Sequence, residues 1–376
     1  MTDDTDLATL FAQADGAIES ATGAVTPNIP MATTFVRDTS NALTSDDHSY
    51  ARDQNDLYRL AERILTKAER GADGLLFPSG MAAVAAIVRG VPSGGRIILQ
   101  SGIYWGATKF IRDFCARRSV DLIEVEASDI GALKEHSSQT TDLIWIETPS
   151  NPYLKTVDIS ACADIAKECG AALVVDSTAA TPILSQPLTL GADIVVHSAT
   201  KAINGHSDVL AGFAACRDAD HPLWQAALVD RQTAGAVIGS MEAWLLIRGM
   251  RTLPLRIERM SASALALAEF CDAHDAVSSV LYPGLRNDPG HNLASTQMNG
   301  GFGGLLSIRL KGGRAAALKT IGKLKLFKRA TSLGGVESLV EHRHTIEDTV
   351  PDDLLRLSVG IEAAEDLIAD MSQAFT

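Results

Sequence analysis

From about residue 58 the chain alternates short apolar runs with stretches of helical period, and this alternation limits its fold more than any other feature. The runs fall at 75–77, 96–100, 122–125, 143–146, 173–175 and 194–197. Such alternation predicts a mainly parallel sheet covered by helices on both faces. Ligands of such sheets bind beyond the carboxyl ends of the strands, so the polar residues after each run are the first candidates for chemistry. A long helical region follows at 238–274. The Gly-rich stretch 299–304 then enters a further apolar run at 305–310, which predicts a smaller α/β domain folding back over the first. At 376 residues the chain exceeds one ordinary core, in keeping with two domains.

Lys201 lies where the run 194–197 stops at Ser198-Ala-Thr-Lys201. A lysine there can shed water, lower its pKa and form an imine with an aldehyde, while Ser198 and Thr200 offer hydroxyls to a phosphate. An aldehyde that also carries a phosphate is pyridoxal 5′-phosphate (PLP). A lone Thr-Lys after a strand is more often an ordinary surface lysine, so the weight comes from upstream. Asp176 closes the run Ala171-Ala-Leu-Val-Val-Asp176, and a carboxylate at a buried strand end needs a partner. The protonated pyridine nitrogen of PLP is one. Phe77-Pro-Ser-Gly-Met81 precedes a helical stretch, so Ser79, Gly80 and Met81 form an anion site at a helix N-terminus. Tyr104 follows the run 96–100 and can lay its ring on the pyridine. Asn151, in Glu147-Thr-Pro-Ser-Asn-Pro152, can donate to the cofactor's phenolic oxygen, although a plain Pro-bounded turn reads equally well.

Together these residues resemble the Cys/Met-metabolism family of PLP enzymes, which includes cystathionine gamma-synthases and lyases, methionine gamma-lyases and O-acylhomoserine sulfhydrylases. Further matching segments are Pro27-Asn-Ile-Pro-Met-Ala-Thr-Thr-Phe35, Gly191 through Lys201, Asn204-Gly-His-Ser-Asp208, Trp244 through Leu253, Tyr282-Pro-Gly-Leu285 and Leu354 through Glu362, so nearly the whole chain is covered. The resemblance implies the aspartate-aminotransferase-like fold (fold type I). It also implies an N-terminal arm at 1–57 that contributes to a neighbouring subunit, a PLP-binding large domain at 58–235 and a small domain at 236–376. Lys201 is then the Schiff-base lysine, Asp176 the pyridinium partner and Tyr104 the stacking ring. Ser79, Gly80, Met81, Ser198 and Thr200 become the phosphate cup. Tyr50 and Arg52 match a Tyr-x-Arg element that reaches the phosphate of a neighbouring subunit, which implies a homo-oligomer, a tetramer built from two dimers whose subunits share active sites. Arg356 matches the arginine that grips the substrate α-carboxylate, with Ser332 beside it.

Departures from the family pattern bear on substrate. Thr331 stands where cystathionine-handling relatives place a glutamate for a distal ammonium. Gly106 stands where methionine gamma-lyases carry a cysteine. Trp105 replaces a small residue and reads as packing. The segment His342-Arg-His-Thr-Ile-Glu-Asp-Thr-Val-Pro351 is shortened and reads as a solvated loop, in which His342, Arg343 and His344 could otherwise meet an acidic substrate group.

The remaining properties exclude several classes. With 33 basic and 46 acidic residues the net charge is −13, which disfavours nucleic acid and anionic membranes as partners. No apolar run reaches a membrane span and no signal peptide is legible, so a cytoplasmic protein is expected. Five cysteines without a Cys-x-x-Cys pair suggest neither disulfides nor zinc, and no metal is expected. A nicotinamide dehydrogenase lacks its Gly-x-Gly-x-x-Gly turn and leaves Lys201 idle. The preferred expectation is a C–S lyase acting by β- or γ-elimination on cystathionine, cysteine or a related amino acid. The alternatives are γ-replacement, racemisation or transamination on the same carbanion, and a non-catalytic PLP-binding relative.

Overall fold

A computed structural model describes residues 1–2, 5–44, 49–138 and 140–376. The first six strands are β1 (Asp73–Phe77), β2 (Arg96–Gln100), β3 (Asp121–Val125), β4 (Leu143–Glu147), β5 (Ala172–Asp176) and β6 (Ile194–His197). They match the expected runs to within two residues. With β7 (Gly212–Cys216) they form a seven-stranded sheet in the order β1-β7-β6-β5-β4-β2-β3. Pairing is parallel from β3 across to β6, and β7 runs antiparallel between β6 and β1.

Alternation along each strand shows why the sheet is buried twice. Leu75 and Phe77 join one apolar cluster and Leu76 another; Leu143 and Trp145 separate in the same way from Ile144 and Ile146. Both faces are therefore dry, and the polar residues collect at strand ends.

The second sheet has five strands: β8 (Val277–Leu281), β9 (Leu305–Leu310), β10 (Lys328–Arg329), β11 (Leu339–His342) and β12 (Leu354–Ser358), ordered β10-β11-β12-β9-β8. It has its own apolar cluster, to which helices Leu253–Asp272 and Ala364–Phe375 contribute. The region 238–274 is not one helix. It divides into Ser240–Met250 and Leu253–Asp272, with Pro254 in the first turn of the second, where its missing N–H costs nothing.

Among the described residues before 56 there is little regular structure. Helix Leu7–Ala12 buries Leu10 and Phe11 in the chain's own core, whereas Ile18, Val25, Met31 and Val36 are exposed.

Candidate functional site

A cavity of about 270 Å³ opens at the carboxyl ends of β4, β5 and β6, and one wall of it comes from the second sheet. Lys201, Asp176, Tyr104, Asn151, Ser79, Gly80, Met81, Ser198, Thr200, Ser332 and Arg356 all line it. Two expected residues do not. Tyr50 and Arg52 lie outside the cavity, both exposed, with the guanidinium 5.2 Å from the Tyr50 ring.

The turn after β6 is fixed by its own hydroxyls. The Thr200 hydroxyl donates to the Ala211 carbonyl at 3.0 Å and accepts from the Ala211 amide at 2.9 Å, while the Ser198 amide donates to the Thr178 hydroxyl at 2.8 Å. Lys201 is thereby held inside the cavity. Burial, helped by the nearby Arg356 charge, lowers its pKa to about 8. Its Nζ donates to Ser332 Oγ at 2.8 Å. Ser332 itself has a φ of +102°, a region L-residues rarely adopt, so its place beside the lysine is maintained against local backbone preference.

Asp176 and Glu147 are register partners at the ends of adjacent parallel strands, and both are buried. Burial pushes both carboxyls above their usual range. Glu147, additionally opposed by Asp176, rises to about 8. The Thr178 amide donates to Asp176 Oδ1 at 3.0 Å and partly offsets the rise. Glu147 was not among the expected site residues, yet its two oxygens accept from the Tyr104 amide at 2.9 Å and the Asn151 amide at 2.6 Å. It ties two cavity-lining residues from different loops to one strand end. The signal that found Asp176, an acid closing an apolar run, applies equally to Glu147.

The expected anion site falls at the start of helix Gly80–Arg89. Ser79 caps it, its hydroxyl accepting from the Ala82 amide at 3.1 Å, and the leading amides of Gly80 and Met81 have no intrahelical acceptor. The approach is close. A Cβ at Gly80 would lie 2.8 Å from the Ser198 Cβ, and one at Gly212 would lie 2.1 Å from the Ser79 carbonyl oxygen. Only glycine lets the turn after β6, the start of β7 and the helix N-terminus approach this closely.

The opposite wall departs from two expectations. The segment after β11 is solvated only in part: Thr345, Ile346, Asp348 and Thr349 are exposed, but Arg343 is 3% exposed and lines the cavity. The reason is pairing across strands. Glu341 and Arg356 are opposite each other on β11 and β12, and Glu341 Oε2 accepts from Arg343 NH1 and is ion-paired with Arg356 NH2, each at 2.8 Å. The Thr331 hydroxyl holds the other oxygen. Burial raises the Glu341 pKa, but Arg356, Thr331 and Arg343 together outweigh it and leave the carboxyl below its usual range. Arg356 also donates to the Ser332 carbonyl at 2.8 Å and to Asn151 Oδ1 at 3.3 Å. The two histidines face inward on their own segment: His342 meets Thr345 and the Asp352 carbonyl, and His344 the Val350 carbonyl. Trp105 is not core packing either. It is 40% exposed at the first position of helix Trp105–Arg118, its ring 5.9 Å from that of Tyr104, and it lines the cavity.

Among the described residues no helix is long and apolar enough to cross a membrane, and no group of three or more His, Cys, Asp or Glu is placed to hold a metal ion.

Comparison with known proteins gives a consistent picture. The family model described as Cys/Met metabolism PLP-dependent enzyme matches residues 8–376. A cystathionine gamma-synthase of Mycobacterium tuberculosis is 42% identical over 365 residues, covering 95% of this chain and 93% of the relative. A cystathionine gamma-lyase of Bacillus subtilis is 38% identical over 367 residues, covering 95% of each. The crystal structure of metB from Corynebacterium glutamicum superimposes with a TM-score of 0.96 at 37% identity, covering 100% of this chain and 99% of that one.

Proposed function

Since the chain belongs to the Cys/Met metabolism PLP-dependent enzymes, and is thus a PLP-dependent enzyme of sulfur amino-acid metabolism, we propose that it is a carbon–sulfur lyase. It would act by β- or γ-elimination on cystathionine, cysteine or a related amino acid. The observation that carries this reading is the Lys201 amine, its pKa lowered to about 8, in one cavity with Asp176, Tyr104 and Arg356.

The donor set fits PLP. Lys201 is an amine able to bond an aldehyde, and Gly80 and Met81 offer unsatisfied amides beside the Ser79, Ser198 and Thr200 hydroxyls for its phosphate. Asp176 is a buried carboxylate, and a protonated ring nitrogen would remove the cost of that burial. When bound, PLP withdraws electrons from the substrate carbon attached to the amine. Tyr104 would lie against the cofactor ring, and Asn151, whose Oδ1 is turned to Arg356, would keep its amide nitrogen to donate to the cofactor. Arg356 holds the substrate α-carboxylate, with Ser332 alongside. With the cofactor bound, Lys201 would be the base that takes the α proton, and Tyr104 would assist the leaving group. For γ-chemistry Lys201 must also remove a proton from the β carbon.

A second reading, γ-replacement, is favoured by one observation: the synthase relative, at 42% identity, is nearer than the lyase at 38%. Product analysis separates the two. Release of pyruvate or 2-oxobutanoate with ammonia from cystathionine or cysteine supports elimination. Turnover of an O-acylhomoserine only when a thiol is supplied would replace it with the second reading.

We further read residues 1–57 as an arm, 58–235 as the PLP-binding large domain and 236–376 as the small domain. The exposed Met31, Val36 and Tyr50 support an arm that reaches a neighbouring subunit, with Tyr50 and Arg52 completing that subunit's phosphate site in a tetramer built from two dimers. A cytoplasmic location accords with the absence of a long apolar helix among the described residues.

A further inference from the structure

Arg343 has no role in the reading above, although it is buried in the same cavity as Arg356. Its NH1 donates to Glu341, its NH2 lies 3.6 Å from Glu347, beyond a good hydrogen bond, and its Nε has no partner among the described residues. Glu341 cannot serve a substrate ammonium. One of its oxygens is taken by Thr331 and the other by both guanidiniums. With Thr331 where an acid would be needed, this end of the cavity offers donors and no free acceptor from Glu341.

We propose that Arg343 determines specificity by receiving the distal end of the substrate, selecting amino acids whose side chains end in a carboxylate over those ending in a methyl or an ammonium group. The inference rests on the proposed function, in which Arg356 is occupied by the α-carboxylate. Two arguments carry it. The Arg343 NH2 makes no hydrogen bond among the described residues and is the donor left for a ligand oxygen. A guanidinium fork also suits a carboxylate better than any neutral group. Half-exposed Trp105 and Ile346 line the same cavity and leave its apolar walls to the methylene chain.

The test uses the PLP-loaded enzyme and two unreactive amino acids of similar length, L-2-aminoadipate and L-norleucine, each titrated against the visible absorbance band. Wild type is expected to bind aminoadipate about tenfold or more tighter, the scale of one charge-assisted hydrogen bond. Arg343→Gln should bring the ratio to within about twofold, and Arg343→Lys, which keeps the charge without the fork, should fall between. Equal affinity in wild type overturns the proposal, and so does an equal loss for both ligands in Arg343→Gln, which would make Arg343 only a support for Glu341. Should that variant fail to fold, the wild-type ratio and its decline with added salt decide. A band that responds to neither amino acid points instead to failure of the proposed function.

Discussion

The two walls of the cavity are built by different means. On the large-sheet side each group sits where a regular element ends: Asp176 and Glu147 close strands, Ser79 caps a helix, and Lys201 follows a strand by a hydroxyl-bonded turn. On the second-sheet side the groups are held by charge. Arg356, Glu341 and Arg343 are buried only because they share one carboxylate across two antiparallel strands. The first wall is specified locally and would survive loss of one neighbour. The second is a unit whose members depend on one another, so breaking it should affect binding and stability together.

The largest expected effect is on the first wall. Lys201→Ala should lower kcat by at least about 10³-fold, the scale of a lost nucleophile and general base, and abolish the visible band of the PLP-loaded protein. Its fold should persist, because removing a buried amine leaves no unpaired charge behind. A variant that retained the band would show that the amine bonding the cofactor lies elsewhere.

Next comes the second wall. Glu341→Gln removes the charge two buried guanidiniums share, and loss of one partner from such a pair costs about 3 kcal/mol. Urea unfolding of the cofactor-free protein at neutral pH should show it. The sign with pH is fixed. Because the Glu341 pKa is lowered in the fold, its contribution is fully present above the unfolded value and is lost as pH falls through the folded one. The gap between wild type and variant should therefore close in acid. A gap that is small at every pH would mean the cluster is not one unit.

How much of each wall was legible follows from this difference. Asp176, Lys201 and Ser79 were readable because an apolar run or a helix start marks the strand end or cap by itself. Glu147 carries the same mark, but its role rests on amides from two other loops, Tyr104 and Asn151, whose approach is set by the fold and not by the local sequence. Strand β7, Gly-Phe-Ala-Ala-Cys, gave no β signal, its small residues being chosen for the close approach of Gly212 to Ser79 rather than for strand propensity. Arg343 was hidden for a longer-range reason. In the run His-Arg-His nothing reveals burial until the register of β11 on β12 puts Glu341 opposite Arg356.

A smaller effect probes Lys201 without changing it. Capture of PLP by the cofactor-free protein requires the neutral amine, so its rate should rise with pH and level off above about 8. At pH 7 about one-tenth of such an amine is unprotonated, against well under one-thousandth for an ordinary lysine. A rate still climbing steeply past pH 9 would mean that burial does not lower the pKa, and would remove the electrostatic distinction of this wall.

The smallest effect concerns Trp105, where the two walls meet. Were it core packing, Trp105→Ala would cost several kcal/mol, as large-to-small core changes do. At 40% exposure it covers the cavity rather than filling the core, so the cost to stability should stay within about 1 kcal/mol. What should change is binding: the ring neighbours Tyr104 and lines the cavity, so KM should rise several-fold while kcat changes less. A change in kcat alone would instead tie Trp105 to the orientation of Tyr104, and so to the wall that carries the chemistry rather than the one that selects the substrate.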